Sequence, residues 1–124
     1  MSLFHDQYEF LQAGDVPVGT KQAEGLASDL VLEEFQEFSN EWMYFSEMVP
    51  SQANIIKEAL DLMYVTAQYL NVTIGPDKAK ECWDALHTNN MSKCHKGTLL
   101  KREDGKILKP DDYQPLDLST VLGV

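Results

Sequence analysis

The chain has 124 residues, an ordinary apolar share of 44% and a formal net charge of −10. That length suits one domain over 1–124, and the acid excess argues against the basic surface that general nucleic-acid binding needs. Charges interrupt every apolar stretch well before the roughly 18 residues of a membrane span, and the start Met1-Ser2-Leu3-Phe4-His5-Asp6 lacks the basic-then-apolar pattern of a secretion signal, so the expected location is cytoplasmic.

Residues 3–12 have apolar spacing suited to a short helix, and Gly14, Pro17 and Gly19 then mark a loop. A long helical pattern runs over 20–48, from Thr20 as a cap to Met48, with Pro50 beyond its end. Ser51 is placed to cap the next helix, over 52–70. Asn71 to Pro76 reads as a turn, with Gly75-Pro76 as the breaker. A further helix is expected over 77–91, with Asp77 in its first turn, where negative charge suits the helix dipole. Asp104-Gly105 then divides 98–109 into two short apolar-basic runs, which predicts a small hairpin or an extended flap. The rest of the tail (95–124), with Pro110 and Pro115, is expected to cross to a neighbouring copy or to lie loosely. The fold class is therefore all-α, with a short C-terminal hairpin or extended tail.

Charge is unevenly placed. Lys93, Lys96, Lys101, Arg102, Lys106 and Lys109 are six of the ten basic residues, and only Glu103 and Asp104 oppose them in that stretch. Two cysteines, Cys82 and Cys94, are too few for a disulfide framework. With His87 and His95 they make a poor zinc set, because the gaps do not match the short paired spacings zinc sites use.

The acids of the two central helices carry the chemistry. Glu33, Glu34 and Glu37 fall within an arc of about 100° on one helix face. Leu26 and Leu30 share that face, and Val31, Phe35, Phe38, Trp42 and Phe45 form a second apolar stripe. On the next helix Glu58 and Asp61 are one turn apart. Ile55, Leu62, Val65 and Tyr69 share their face, while Ile56, Leu60, Met63, Ala67 and Leu70 line the opposite one. A helix apolar nearly all round is a buried helix, and a buried ionised carboxylate costs several kcal/mol unless it is paired. Lys57 is expected to point about 100° away from Glu58, and no arginine is near. Five carboxylates with almost no local cation call for metal ions, and oxygen-only ligands favour Mg²⁺ or Mn²⁺. The plain alternative for the glutamate-rich helix is a solvated face. A carboxylate di-iron bundle needs Glu-x-x-His pairs, and none occurs.

Glu33-Glu34-x-x-Glu37, a gap of twenty residues, then Glu58-x-x-Asp61 resembles the EExxE…ExxD signature of MazG-like all-α nucleoside triphosphate pyrophosphohydrolases. These are related to dimeric dUTPases and phosphoribosyl-ATP pyrophosphohydrolases. His87-Thr88-Asn89-Asn90-Met91-Ser92-Lys93 is similar to a His-x-Ser-Asn-Met-Ser-Lys stretch of one branch, and Arg102 to Lys109 resembles that branch's tail. The chain departs from the branch at Asn89, where Ser is usual, and at Pro110, where Gly is usual. The resemblance runs from about Leu30 to Tyr113. It implies hydrolysis of an NTP to NMP and pyrophosphate, in nucleotide-pool control, and a helical bundle whose four-helix core is completed by dimerisation. It also implies metal ligation by Glu34, Glu37, Glu58 and Asp61, with Glu33 orienting or deprotonating the attacking water.

In that scheme Lys93, Arg102, Lys106 and Lys109 clamp the phosphates, within one subunit or across the homo-oligomer, and Asn90 reaches a phosphate from a helix end. Trp83 and His87, one turn apart, either flank the base or belong to the core, the core reading being favoured. Two other readings stand beside this one. One is a non-enzymatic helical binding or oligomerisation module, with Met43, Met48 and Met63 lining a partner groove. The other is an enzyme for a different substrate, such as phosphoribosyl-ATP.

Overall fold

Ser2 opens the first helix, α1 (Leu3–Ala13), by accepting the His5 N–H on its hydroxyl at 3.3 Å. Thr20 caps α2 (Lys21–Glu47) in the same way, accepting the Ala23 N–H at 3.2 Å. Helices α3 (Gln52–Ile74) and α4 (Pro76–Met91) follow, then strands β1 (Cys94–His95), β2 (Thr98–Lys101) and β3 (Ile107–Leu108) and a short α5 (Ser119–Leu122). The chain is thus mostly helical. The computed structural model describes residues 2–47, 52–95 and 97–124, without the side chains of 44–47 and 95. Met48, Pro50, Ser51 and Lys96, and the side chains of Phe45 and His95, lie outside the described residues, together with the expectations attached to them. Two compact units divide the chain at 1–79 and 80–124, with α4 crossing the boundary.

In the first unit α2 and α3 pair along their lengths and α1 packs on α3. The α2/α3 pair is antiparallel: the Gly19 N–H, just before α2, donates to the Val72 carbonyl near the end of α3 at 2.6 Å. Leu11, Ala23, Ala27 and Val72 form one core cluster, and Phe4, Ala67 and Ala79 another. The alanines let the helix backbones approach closely. Between the clusters lies a polar seam. Asn71 is fully buried and its amide donates to the Phe4 carbonyl and to Gln7 Oε1, both at 2.8 Å, while Gln7 donates to Gln68 at 3.4 Å. Asn71 Oδ1 is buried without a partner.

That seam explains why α3 runs past the expected end at 70. Asn71 reads locally as a helix breaker, but its amide is committed to α1, so the backbone stays helical to Ile74. Gly75 then turns the chain with φ of +82°, a conformation that side chains resist. Pro76 begins α4 where its missing N–H costs nothing.

Burial differs from expectation at the other end of α3. Its buried residues are Ala67, Gln68, Asn71 and Val72, whereas Ile56 and Leu60 are 54% and 58% exposed. On α2, Phe35 and Trp42 are 56% and 54% exposed. The reason is geometric: α1 is short and covers only the C-terminal part of α3, and one neighbouring helix cannot cover a helix that is apolar on two faces. Trp83, read from sequence as core, is 55% exposed.

In the second unit, β1, β2 and β3 form a small antiparallel sheet in that order. The expected Asp104-Gly105 turn joins β2 to β3. Gly105 has φ of +90°, and Asp104 Oδ1 accepts the Lys106 N–H at 3.1 Å. Strand β1 adds a third member to the anticipated hairpin. The tail is also tied down, because Tyr113 Oη donates to Asn89 Oδ1 at 2.7 Å and Asn89 Nδ2 donates to the Gln114 carbonyl at 2.8 Å. Among the described residues no helix is long and apolar enough to cross a membrane.

The seam makes a direct prediction. Asn71→Ala removes the amide donor that the Phe4 carbonyl and Gln7 Oε1 share. It is expected to lower unfolding free energy by about 1–3 kcal/mol, as measured by urea denaturation followed by circular dichroism.

Candidate metal centre

The antiparallel pairing places the middle of α2 beside the first half of α3. Glu34 and Glu37, one helical turn apart on α2, meet Glu58 of α3 there, and carboxylate oxygens of the three lie within 4.8 Å of one another. Glu34 and Glu58 are half-buried and Glu37 is exposed. Glu34 Oε2 and Glu58 Oε2 are both closed off from solvent with no hydrogen-bond partner. Burial first, then a hydrogen bond and repulsion from Glu37, then the charges of Asp61 and Glu58, push the Glu34 carboxyl up to about 7.

Asp61 stands outside that group of three. Lys57 Nζ donates to its Oδ2 at 2.8 Å and lies 3.7 Å from Glu58 Oε1. This corrects the expectation that Lys57 points away and leaves the acids without a cation. Residues four apart on a helix are neighbours, and the long lysine stem reaches both carboxylates. The Asp61 hydrogen bond, ahead of its charge, raises the Lys57 pKa in return. Glu33 is exposed and does not belong to the cluster.

Two orphaned, solvent-excluded carboxylate oxygens within reach of a third carboxylate form an oxygen-only donor set. That set fits a hard divalent cation such as Mg²⁺ or Mn²⁺ and does not suit softer metals. Cys82 and Cys94 are free and half-buried and join no metal-holding group among the described residues.

The other candidate residues all belong to the second unit. Asn90 is exposed near the end of α4. Arg102 is ion-paired with Asp104 and holds that carboxyl below the usual range. Lys106 is exposed. The Lys93 and Lys109 ammonium groups lie 5.7 and 5.3 Å from the centroid of the Tyr113 ring. Sequence reasoning turned Lys57 away from the acids, took Asn89 only as a departure from Ser, and gave Tyr113 no role. For Tyr113 the available signal was a lone aromatic in a tail of prolines and aspartates; for Asn89 it was the departure from Ser, since the longer amide reaches two partners at once.

Neither models of known protein families nor curated proteins match the chain.

The raised Glu34 pKa has a definite sign. Without metal, folded Glu34 holds its proton more tightly than the unfolded chain does. Its stabilising contribution is therefore present in full below about 4.5 and is lost as pH rises through about 7. The metal-free protein is expected to lose melting temperature between pH 5 and 8, and Glu34→Gln to flatten that dependence, as read by thermal denaturation across the range.

Proposed function

We propose that this chain is a magnesium-dependent nucleoside triphosphate pyrophosphohydrolase of the MazG-like kind, acting in nucleotide-pool control as a homo-oligomer. The observation that carries the reading is the pair of unpartnered, solvent-excluded oxygens of Glu34 and Glu58, beside Glu37, contributed by two antiparallel helices. The EExxE…ExxD pattern supports it from the sequence side.

In this reading Glu34, Glu37 and Glu58 hold the cation, and Asp61 joins them on giving up Lys57. Bound Mg²⁺ supplies the positive charge that lets an acidic pocket accept a triphosphate and stabilises the departing pyrophosphate. Water adds to the α-phosphorus and the α–β anhydride bond breaks. Glu33, exposed and next to the cluster, takes the water's proton. Asn90, Lys93, Lys106 and Lys109 contribute phosphate contacts, within one subunit or across the homo-oligomer, and Arg102 adds its fork on giving up Asp104.

The exposed apolar residues of α2 and α3 favour a second copy as the cover for this face. Several large apolar side chains on one helix pair, each more than half exposed, are what a partner's helices would cover, and four-helix cores are built by pairing helical hairpins. A binding module with Met43 and Met63 lining a groove is the second reading, favoured by their 59% and 51% exposure.

Pyrophosphate release from a panel of nucleotides with Mg²⁺ separates the readings, because a binding module releases none and a phosphoribosyl-ATP enzyme works on that substrate alone. Glu34→Ala and Asp61→Ala are expected to abolish hydrolysis with helical content retained; full activity in either defeats the metal site. Glu33→Gln is expected to keep metal binding and lower turnover by roughly 10²–10⁴. For the assembly, Phe35→Asp combined with Leu60→Asp is expected to shift the protein to monomer in sedimentation velocity, and a monomeric parent chain rules the proposal out.

A further inference from the structure

Tyr113 sits where the tail meets α4. Its hydroxyl is fixed by Asn89 at 2.7 Å, and Asn89 is itself held through its bond to the Gln114 carbonyl at 2.8 Å. The ring therefore has a defined place although the surrounding segment is tail. Two ammonium groups from distant points in the sequence, Lys93 and Lys109, both come within 6 Å of its centroid, at 5.7 and 5.3 Å. Ordinary electrostatics opposes this gathering, since two like charges repel. The negative face of the ring offsets the repulsion by attracting both.

The nearby charges differ in their partners. Lys80 is committed to Asp84 and Arg102 to Asp104. Among the described residues, neither Lys93 nor Lys109 has a carboxylate at ion-pair distance. A protein with a net charge of −10 thus holds on one ring two cations that, among the described residues, have no carboxylate paired to them. Tyr113 also borders a cavity of about 620 Å³ lined in part by Asp84, Asp112 and Asp117. That acidic lining repels an anion. Asp84 is paired with Lys80, however, and among the described residues none of the three acids lies at ion-pair distance from Lys93 or Lys109.

We propose that Tyr113 is a positioning residue that, anchored by Asn89, presents Lys93 and Lys109 as a two-lysine site for a phosphate-chain anion. The polyphosphate class fits better than a lone carboxylate, because paired point charges match an anion whose charge is spread along a chain. Its part in turnover rests on the pyrophosphohydrolase reading; its binding of the anion does not.

The test is calorimetric titration of inorganic pyrophosphate into the full chain in metal-free buffer, where the carboxylate cluster has no cation to recruit the ligand. Saturable binding that weakens with added salt is expected. Lys93→Gln, Lys109→Gln and Tyr113→Leu are each expected to weaken it by roughly fivefold or more, while Tyr113→Phe, which keeps the ring, restores most of the loss. No binding by the parent chain, or unchanged binding by Tyr113→Leu, overturns the proposal. If Tyr113→Leu disturbs the tail, as seen by amide NMR, the exposed Lys109→Gln variant decides in its place. Pyrophosphate binding without NTP hydrolysis in Mg²⁺ refutes the enzyme and leaves this site standing. Where NTP is hydrolysed, Tyr113→Leu is expected to raise KM several-fold with kcat nearly unchanged, and loss of kcat alone counts against a positioning role.

Discussion

Carboxylates that approach within 4.8 Å of one another, with two oxygens shielded from water, cannot all remain ionised without help. Much of the first unit can be understood as answers to that constraint. Glu34 answers by holding a proton at a pH where an ordinary glutamate would have lost it. Asp61 answers with Lys57, which also lies close to Glu58. A divalent cation would replace both devices at once, and its competition with one proton and one lysine would make affinity depend on pH.

The constraint exists only because the register of α2 against α3 is held elsewhere. Gly19 bonds Val72, and Leu11, Ala23, Ala27 and Val72 pack together, all remote from the acids. A slip of one helical turn would move α2 by about 5.4 Å along α3, more than the 4.8 Å that encloses the cluster. The amide seam of Gln7, Gln68 and Asn71 holds α1 in place over the same end of α3. Rigid packing at one end thereby positions acids at the other, where the apolar surface is left uncovered.

The second unit solves a different problem. It has little apolar core, and its order comes from polar and ring contacts: the Arg102–Asp104 pair in the β2–β3 turn, Asp104 on the Lys106 N–H, and Asn89 gripping the tail through Tyr113 and Gln114. Such contacts are individually modest. Among the described residues they leave Lys93 and Lys109, like Lys101 and Lys106, without a carboxylate at ion-pair distance.

Local rules were enough to read α1 to α4, though not the short α5 in the tail, and the Thr20 cap and the Asp104-Gly105 turn from the sequence, because periodicity, capping and turn chemistry act over a few residues. The one-turn spacing of Glu34 with Glu37, and of Glu58 with Asp61, was legible for the same reason. What the sequence could not disclose depended on partners far along the chain. Asn71 looks like a breaker until α1 takes up its amide, and α3 looks buried until the reach of α1 is known. Lys57 looks remote from the acids until its stem is seen folded along the helix. Tyr113 looks like tail until Asn89, Lys93 and Lys109 meet it. The sequence by itself determined which segments are helical and which faces carry acid; tertiary structure alone decided which acids meet and which cations are left over, because burial and charge pairing are properties of neighbours in space.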